Sequence, residues 1–266
     1  MRPPARRRPV WGGPPPPAAR LILRGRRRRA VLFRRLEGCH STACFPPPRV
    51  SLRELALESH SLSVPGAFNA LVDALAPCRM AALSFNGCLP YNSGGAVPGI
   101  VRLLNGGSLS HLVIKGGWEL DAPLMTDASA PSLATALRAC VTLTSLTLNR
   151  VELWGHLSRG KAVVAALIGH PTLRVLDLSC NNVAKQHCAA VGKPLAQLVA
   201  ANAPVLTVLR LAGCHLGGAG LRPLFCGCLS THSCAISTAT STMGRCATRR
   251  RASRATCSAP SQPTAR

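Results

Sequence analysis

The stretch LRVLDLSCNNV, residues 173–183, places leucines at 173, 176 and 178, an asparagine at 181 and a valine at 183. Leu176 and Leu178 are two residues apart, so on an extended chain both point to the same side. Asn181 follows where such a strand must turn away, and its short amide can hydrogen-bond backbone groups in the turn. One strand of this kind buries too little to fold alone. The question the stretch raises is whether it recurs.

It recurs five times. The form L-x-x-L-x-L, with other apolar residues allowed, is met at Leu52, Leu55 and Leu57; at Met80, Leu83 and Phe85; at Leu109, Leu112 and Ile114; at Leu143, Leu146 and Leu148; and at Leu206, Leu209 and Leu211. Start-to-start steps are 28, 29, 34, 30 and 33 residues. Eight positions after the first leucine, Cys88 and Cys214 take the place of Asn181, while Val151, His60 and Gly117 depart from it. Cys can fill such a buried site without any chemistry.

Between the strands, Ala- and Leu-rich stretches carry apolar residues at helical spacing. The spacing predicts helices near 66–77, 96–105, 131–140, 160–169, 186–201 and 218–225. Pro77, Gly106-Gly107, Pro171 and Pro204 stand just past four of them, where chain breakers belong. Each strand and helix pair offers one apolar face, and stacking the pairs joins those faces into a continuous core. The expected fold is therefore an α/β solenoid over residues 51–225, with curved parallel strands inside and helices outside.

These repeats resemble the leucine-rich repeat family, in particular its ribonuclease-inhibitor-like branch, whose convex side is helical. The resemblance covers about two-thirds of the chain and rests on Leu52, Leu55, Leu57, Leu83, Leu109, Leu112, Leu143, Leu146, Leu148, Leu173, Leu176, Leu178, Asn181, Leu206, Leu209, Leu211 and Cys214 as repeat positions. It implies a protein-binding role, because that branch includes inhibitors, sensors, GTPase activators and scaffolds. The fold alone does not choose among them.

The side chains between the leucines should face the concave side. There Glu58, Asn86, Lys115, Asn149, Asp177 and Arg210 form the candidate partner-binding set. Their mixed polarity suits a protein partner better than a phosphate backbone, which asks for a stripe of one sign. The reading is a scaffold or adaptor without catalysis. The alternatives are a nucleic-acid- or ribosome-associated protein that uses Arg-rich tails, and a regulator of a small GTPase.

Composition agrees. The 266 residues are 47% hydrophobic but only 3% aromatic, which argues against a jelly roll, an immunoglobulin-like sandwich or a base-stacking nucleic-acid binder. The net charge of +23 sits mainly in the flanks. Residues 1–50 carry 13 Arg, ten Pro and one acid, and residues 226–266 carry six Arg and no acid. Both are expected to be disordered, lacking a packed core, and to act as arms, a targeting signal or incidental sequence. Neither resembles the polar cap that a solenoid end needs, so a partner covers the ends or the chain is part of a longer array.

The chemistry of catalysis is thinly represented. Glu54 and Glu58 share one strand, Glu119 and Asp121 one loop, and no Gly-rich loop continues into Lys and Ser/Thr. Cys226, Cys228, His232 and Cys234 are spaced too tightly for a zinc knuckle. Neither metal nor cofactor is expected. Thirteen cysteines, an odd number, and the lack of a secretory apolar run point to reduced thiols inside the cell, cytoplasmic or nuclear, with organelle targeting left open.

Overall fold

In the computed structural model, the described residues are 19–24, 52–58, 62, 66–89, 95–116, 124–229 and 235–237, with side chains described between Leu52 and Phe225. Eight strands lie in one sheet in the order of the sequence. They are β1 Ala19–Arg24, β2 Leu52–Glu58, β3 Ala82–Asn86, β4 His111–Lys115, β5 Ser145–Asn149, β6 Val175–Asp177, β7 Val208–Arg210 and β8 Ala235–Ser237. Every pairing is parallel. Parallel neighbours need a crossover between them. Helices supply it from β2 onward: α1 Ala67–Leu75, α2 Val97–Asn105, α3 Ala130–Ala139, α4 Leu157–Leu167, α5 Cys188–Asn202 and α6 Gly217–Leu229.

The predicted repeat register holds without a slip. Leu55, Leu83, Leu112, Leu146, Leu176 and Leu209 stand side by side across six strands, and Leu57, Phe85, Ile114 and Leu148 across four. All are buried, and Leu52 at the start of β2 is partly so. One apolar cluster runs from Leu55 to Leu224 and takes in the inner stripe of every helix. The six helices match the predicted ranges within a few residues, apart from the longer C-terminal end of α6.

The flanks differ from expectation. Composition gives no strand in residues 1–50 or 226–266, yet β1 and β8 lie there. Leu21 and Leu23 pair in register with Leu55 and Leu57, and Ile236 with Leu209. The reason is the open edge of a parallel sheet, whose unpaired amides and carbonyls accept another strand whatever its charge.

Each repeat is tied to the one before it at both ends of its strand. Where the strands start, hydroxyls bridge backwards: Ser110 Oγ donates to the Ala81 carbonyl at 2.9 Å, Thr144 Oγ1 to Ser110 at 3.0 Å and Thr207 Oγ1 to Arg174 at 3.1 Å. A second row does the same, with Ser108 to Met80 at 2.9 Å, Thr142 to Leu109 at 2.8 Å and Thr172 to Leu143 at 2.9 Å. Where the strands end, Gly87, Arg150, Cys180 and Gly213 hold left-handed backbone, with φ of 63, 54, 60 and 69°. That conformation turns the amides of Gly87, Arg150 and Cys180 onto carbonyls of the next repeat.

Asn181 closes the same turn. It is fully buried, and its Nδ2 donates to the carbonyls of Leu148 and Leu178 at 2.7 and 2.8 Å. Cys214 stands at the equivalent place one repeat later, and its thiol donates to Leu178 at 3.1 Å. Cys88 likewise donates to Leu57 at 3.5 Å.

Candidate functional site

The strands present three rows of outward side chains, because the leucines between them point inward. In one row Glu58, Asn86, Lys115 and Asn149 are in register from β2 to β5. Strands are about 4.8 Å apart, so this row spans about 14 Å. In the next row Ala56, Ser84, Val113, Thr147, Asp177 and Arg210 are in register from β2 to β7. The six candidate residues thus fall on one face and in two adjacent rows. Glu58, Asn86, Asn149 and Asp177 are half-buried, whereas Lys115 and Arg210 are exposed.

Asp177 and Arg210 already meet. Arg210 Nη1 lies 3.9 Å from Asp177 Oδ2, and the Ser179 amide donates to Asp177 Oδ1 at 3.0 Å. At that separation, and with Arg210 exposed, the pair is worth little and can open to a partner. Not every outward position is available. Thr147 and Ser179 are buried, so the face is closed at two places where alternation alone predicts open side chains.

Two features escape sequence reasoning. The first is a cluster at the N-terminus of α4. Asp127 accepts Arg159 Nε at 2.8 Å and Ser158 Oγ at 3.3 Å, while His156 Nδ1 lies 3.4 Å from its other oxygen. The Arg159 hydrogen bond holds the Asp127 carboxyl below its usual range. Ser, His and Asp are the residues of a nucleophilic triad, but the order is wrong. Ser158 donates to Asp127 rather than to His156, so no base is set on the hydroxyl. The cluster fastens the loop before α3 to α4.

The second is a groove of about 380 Å³ where the strands start, lined by Thr144, Pro171, Thr172, Arg174, Pro204, Val205 and Thr207. Its three hydroxyls all donate to backbone carbonyls within the fold. Ser or Thr beside the first leucine of the last four repeats, at Leu109, Leu143, Leu173 and Leu206, is the signal that marks them.

Cys88 and Cys214 serve the fold. Burial pushes Cys88 and Cys214 up to about 12, which leaves both protonated and poor nucleophiles at neutral pH. Trp154 is buried in the core against Gly160, whose missing side chain leaves room for the indole. Trp118 and the Cys226, Cys228, His232 and Cys234 group lie outside the residues with described side chains. Among the described residues no three of His, Cys, Asp or Glu come together to hold a metal. No helix among them is long and apolar enough to cross a membrane.

A family model described as Leucine Rich repeat matches residues 169–185 and 202–225. Those two segments carry β6 with Asn181 and β7 with Cys214. The fold is a leucine-rich repeat solenoid. The match supports a leucine-rich repeat family, whose members are typically non-catalytic and commonly mediate protein–protein contacts. No curated protein sequence matches the chain.

Proposed function

We propose that this leucine-rich repeat protein is a scaffold or adaptor that binds a protein partner on its concave face. The residues that make the contact are Glu58, Asn86, Lys115, Asn149, Asp177 and Arg210. The supporting observation is their register: a rigid parallel sheet sets acids, bases and amides in two adjacent rows on one face. A preorganised surface loses little entropy on binding. Among the described residues the thiols of Cys88, Cys140, Cys180, Cys188 and Cys214 are not bridged, which supports a reducing compartment inside the cell.

The test is the full chain carrying Lys115→Glu and Asp177→Arg, with thermal unfolding recorded alongside. Partners captured by the wild type, quantified by mass spectrometry, should fall away while the unfolding midpoint holds. Unchanged capture by the folded variant would move the site off the concave face.

A further inference from the structure

The convex face is divided electrostatically. On α1 and α2 the one exposed acid and the one exposed base neutralise each other, Arg102 on α2 donating to Asp73 on α1 at 2.6 Å and also reaching Asn69 at 3.2 Å, while α3 carries one exposed cation, Arg138. The C-terminal part has no such partner. From residue 153 to the end, Asp177 is the single acidic residue in the sequence, and it lies on the opposite face.

On α4, α5 and α6 the described exposed positions carry one charged residue each, and it is always a cation. On α4 the exposed residues are Ser158, Lys161 and Ala165; on α5 the stripe centres on Lys193, between Ala189 and Gln197; on α6 it holds Arg222. The local sequence repeats around them. Gly160-Lys161 corresponds to Gly192-Lys193, and Lys193-Pro194-Leu195 to Arg222-Pro223-Leu224. The same position of three consecutive repeats therefore bears a positive charge. Among the described residues, none of the three pairs with a carboxylate.

The glycines bring these cations close. A Cβ on Gly192 would fall on the Gly220 carbonyl, and one on Gly220 would come within 2.9 Å of the Cys188 carbonyl. So α5 and α6 touch backbone to backbone, with Lys193 and Arg222 beside the contact. Neighbouring helices lie about 8–10 Å apart, so the three charges form a line of about 20 Å. One turn beyond Arg222, Phe225 stands half exposed, one of only two large apolar side chains among the described residues to do so.

The chain cannot cover this line itself. Its flanks are strongly positive and its nine acids are dispersed, so a second copy brings no complement either. Three cations one helix apart are also few for nucleic acid, where tight binders neutralise about 6–10 phosphates. They do fit a short acidic segment. Carboxylates two helical turns apart recur at about 10.5 Å, near the spacing of neighbouring helices.

We propose that Lys161, Lys193 and Arg222, with Phe225 at one end, form a second docking surface for an acidic segment of a partner protein. It lies on the opposite face from the concave rows, so it extends the scaffold reading without depending on it. A protein with both surfaces can hold two partners at once.

The experiment uses the full chain and a fluorescein-labelled 21-residue helical peptide with Glu at every seventh position, read by anisotropy at fixed ionic strength. Charge reversal of the row, Lys161→Glu with Lys193→Glu and Arg222→Glu, should weaken binding about tenfold or more, since three exposed pairs are lost together. Lys115→Glu with Arg210→Glu, on the other face, should leave it unchanged. Circular dichroism establishes that both variants are folded. Equal binding by the convex variant would overturn the proposal and assign the peptide to the Arg-rich flanks. So would equal loss in the concave variant. Loss confined to a double-stranded DNA probe, with peptide binding intact, would overturn it in favour of nucleic acid.

Discussion

Asn181 Oδ1 accepts the amide of Val151 at 3.0 Å, although thirty residues of chain separate them. The same oxygen accepts the Leu153 amide at 3.1 Å. One side chain thus satisfies donors and carbonyls of two successive turns in a place that water does not reach. Removing it leaves those groups buried and unpaired, which costs about 1–3 kcal/mol for each. Asn181→Ala should therefore lower stability by about 3–5 kcal/mol, as read from urea unfolding. Asn181→Cys should lose less, because Cys214 shows that a thiol can serve one of the carbonyls at that position. A loss below about 1 kcal/mol for the alanine variant would show that the neighbouring turns find other partners.

Gly192 and Gly218 offer a matched comparison. Gly192→Ala must push α5 from α6 and should cost about 1–3 kcal/mol. Gly218 has open space around it and is within α6, so Gly218→Ala should be neutral or stabilising by up to about 1 kcal/mol. Thermal unfolding of the two single variants decides the matter, and similar midpoints would refute the backbone contact.

His170 makes stability depend on pH. It is buried, and neither ring nitrogen has a well-formed hydrogen bond. Burial holds its pKa below the usual range, with the backbone of Cys140 and Leu137 opposing only in part. The folded state thus keeps the ring neutral, while the unfolded chain takes the proton as pH falls through about 6.5. Stability should fall from there down to the lower folded pKa and then level off. In His170→Gln the urea midpoint should change less between pH 7.5 and pH 5.5 than it does in the wild type. An unaltered slope would place the pH dependence elsewhere.

The thiols report local opening. Cys88 and Cys214, held protonated by burial, should resist iodoacetamide at neutral pH in the native state and react in denaturant. Peptide mapping distinguishes them from the half-buried Cys78 and Cys180. Native-state labelling of Cys214 at the rate of Cys180 would mean that the end of β7 opens readily.

Most of the fold is legible in the sequence because a repeat states its period many times over. Leu176 and Leu178 mark an inward face, and Leu146, Leu148 and Leu209 repeat the statement. β1 is not legible. Leu21 and Leu23 stand among arginines, and a charge count hides a short apolar run that pairs with the sheet edge. The concave rows follow from alternation, but Thr147 and Ser179 show that alternation fixes direction and not exposure. The Asp127 cluster joins residues some thirty positions apart with no shared motif, so only the folded chain brings it into view.

The sheet order has one more consequence. Each strand pairs only with its neighbours in the sequence, so among the described residues no distant strand ties one end of the sheet to the other. A fault at Asn181 would therefore act as a break point. It would divide the array into a longer block before it and a shorter, more cationic block behind it, each free to melt at its own temperature. The unfolding of this protein should then lose its single step before it loses its structure.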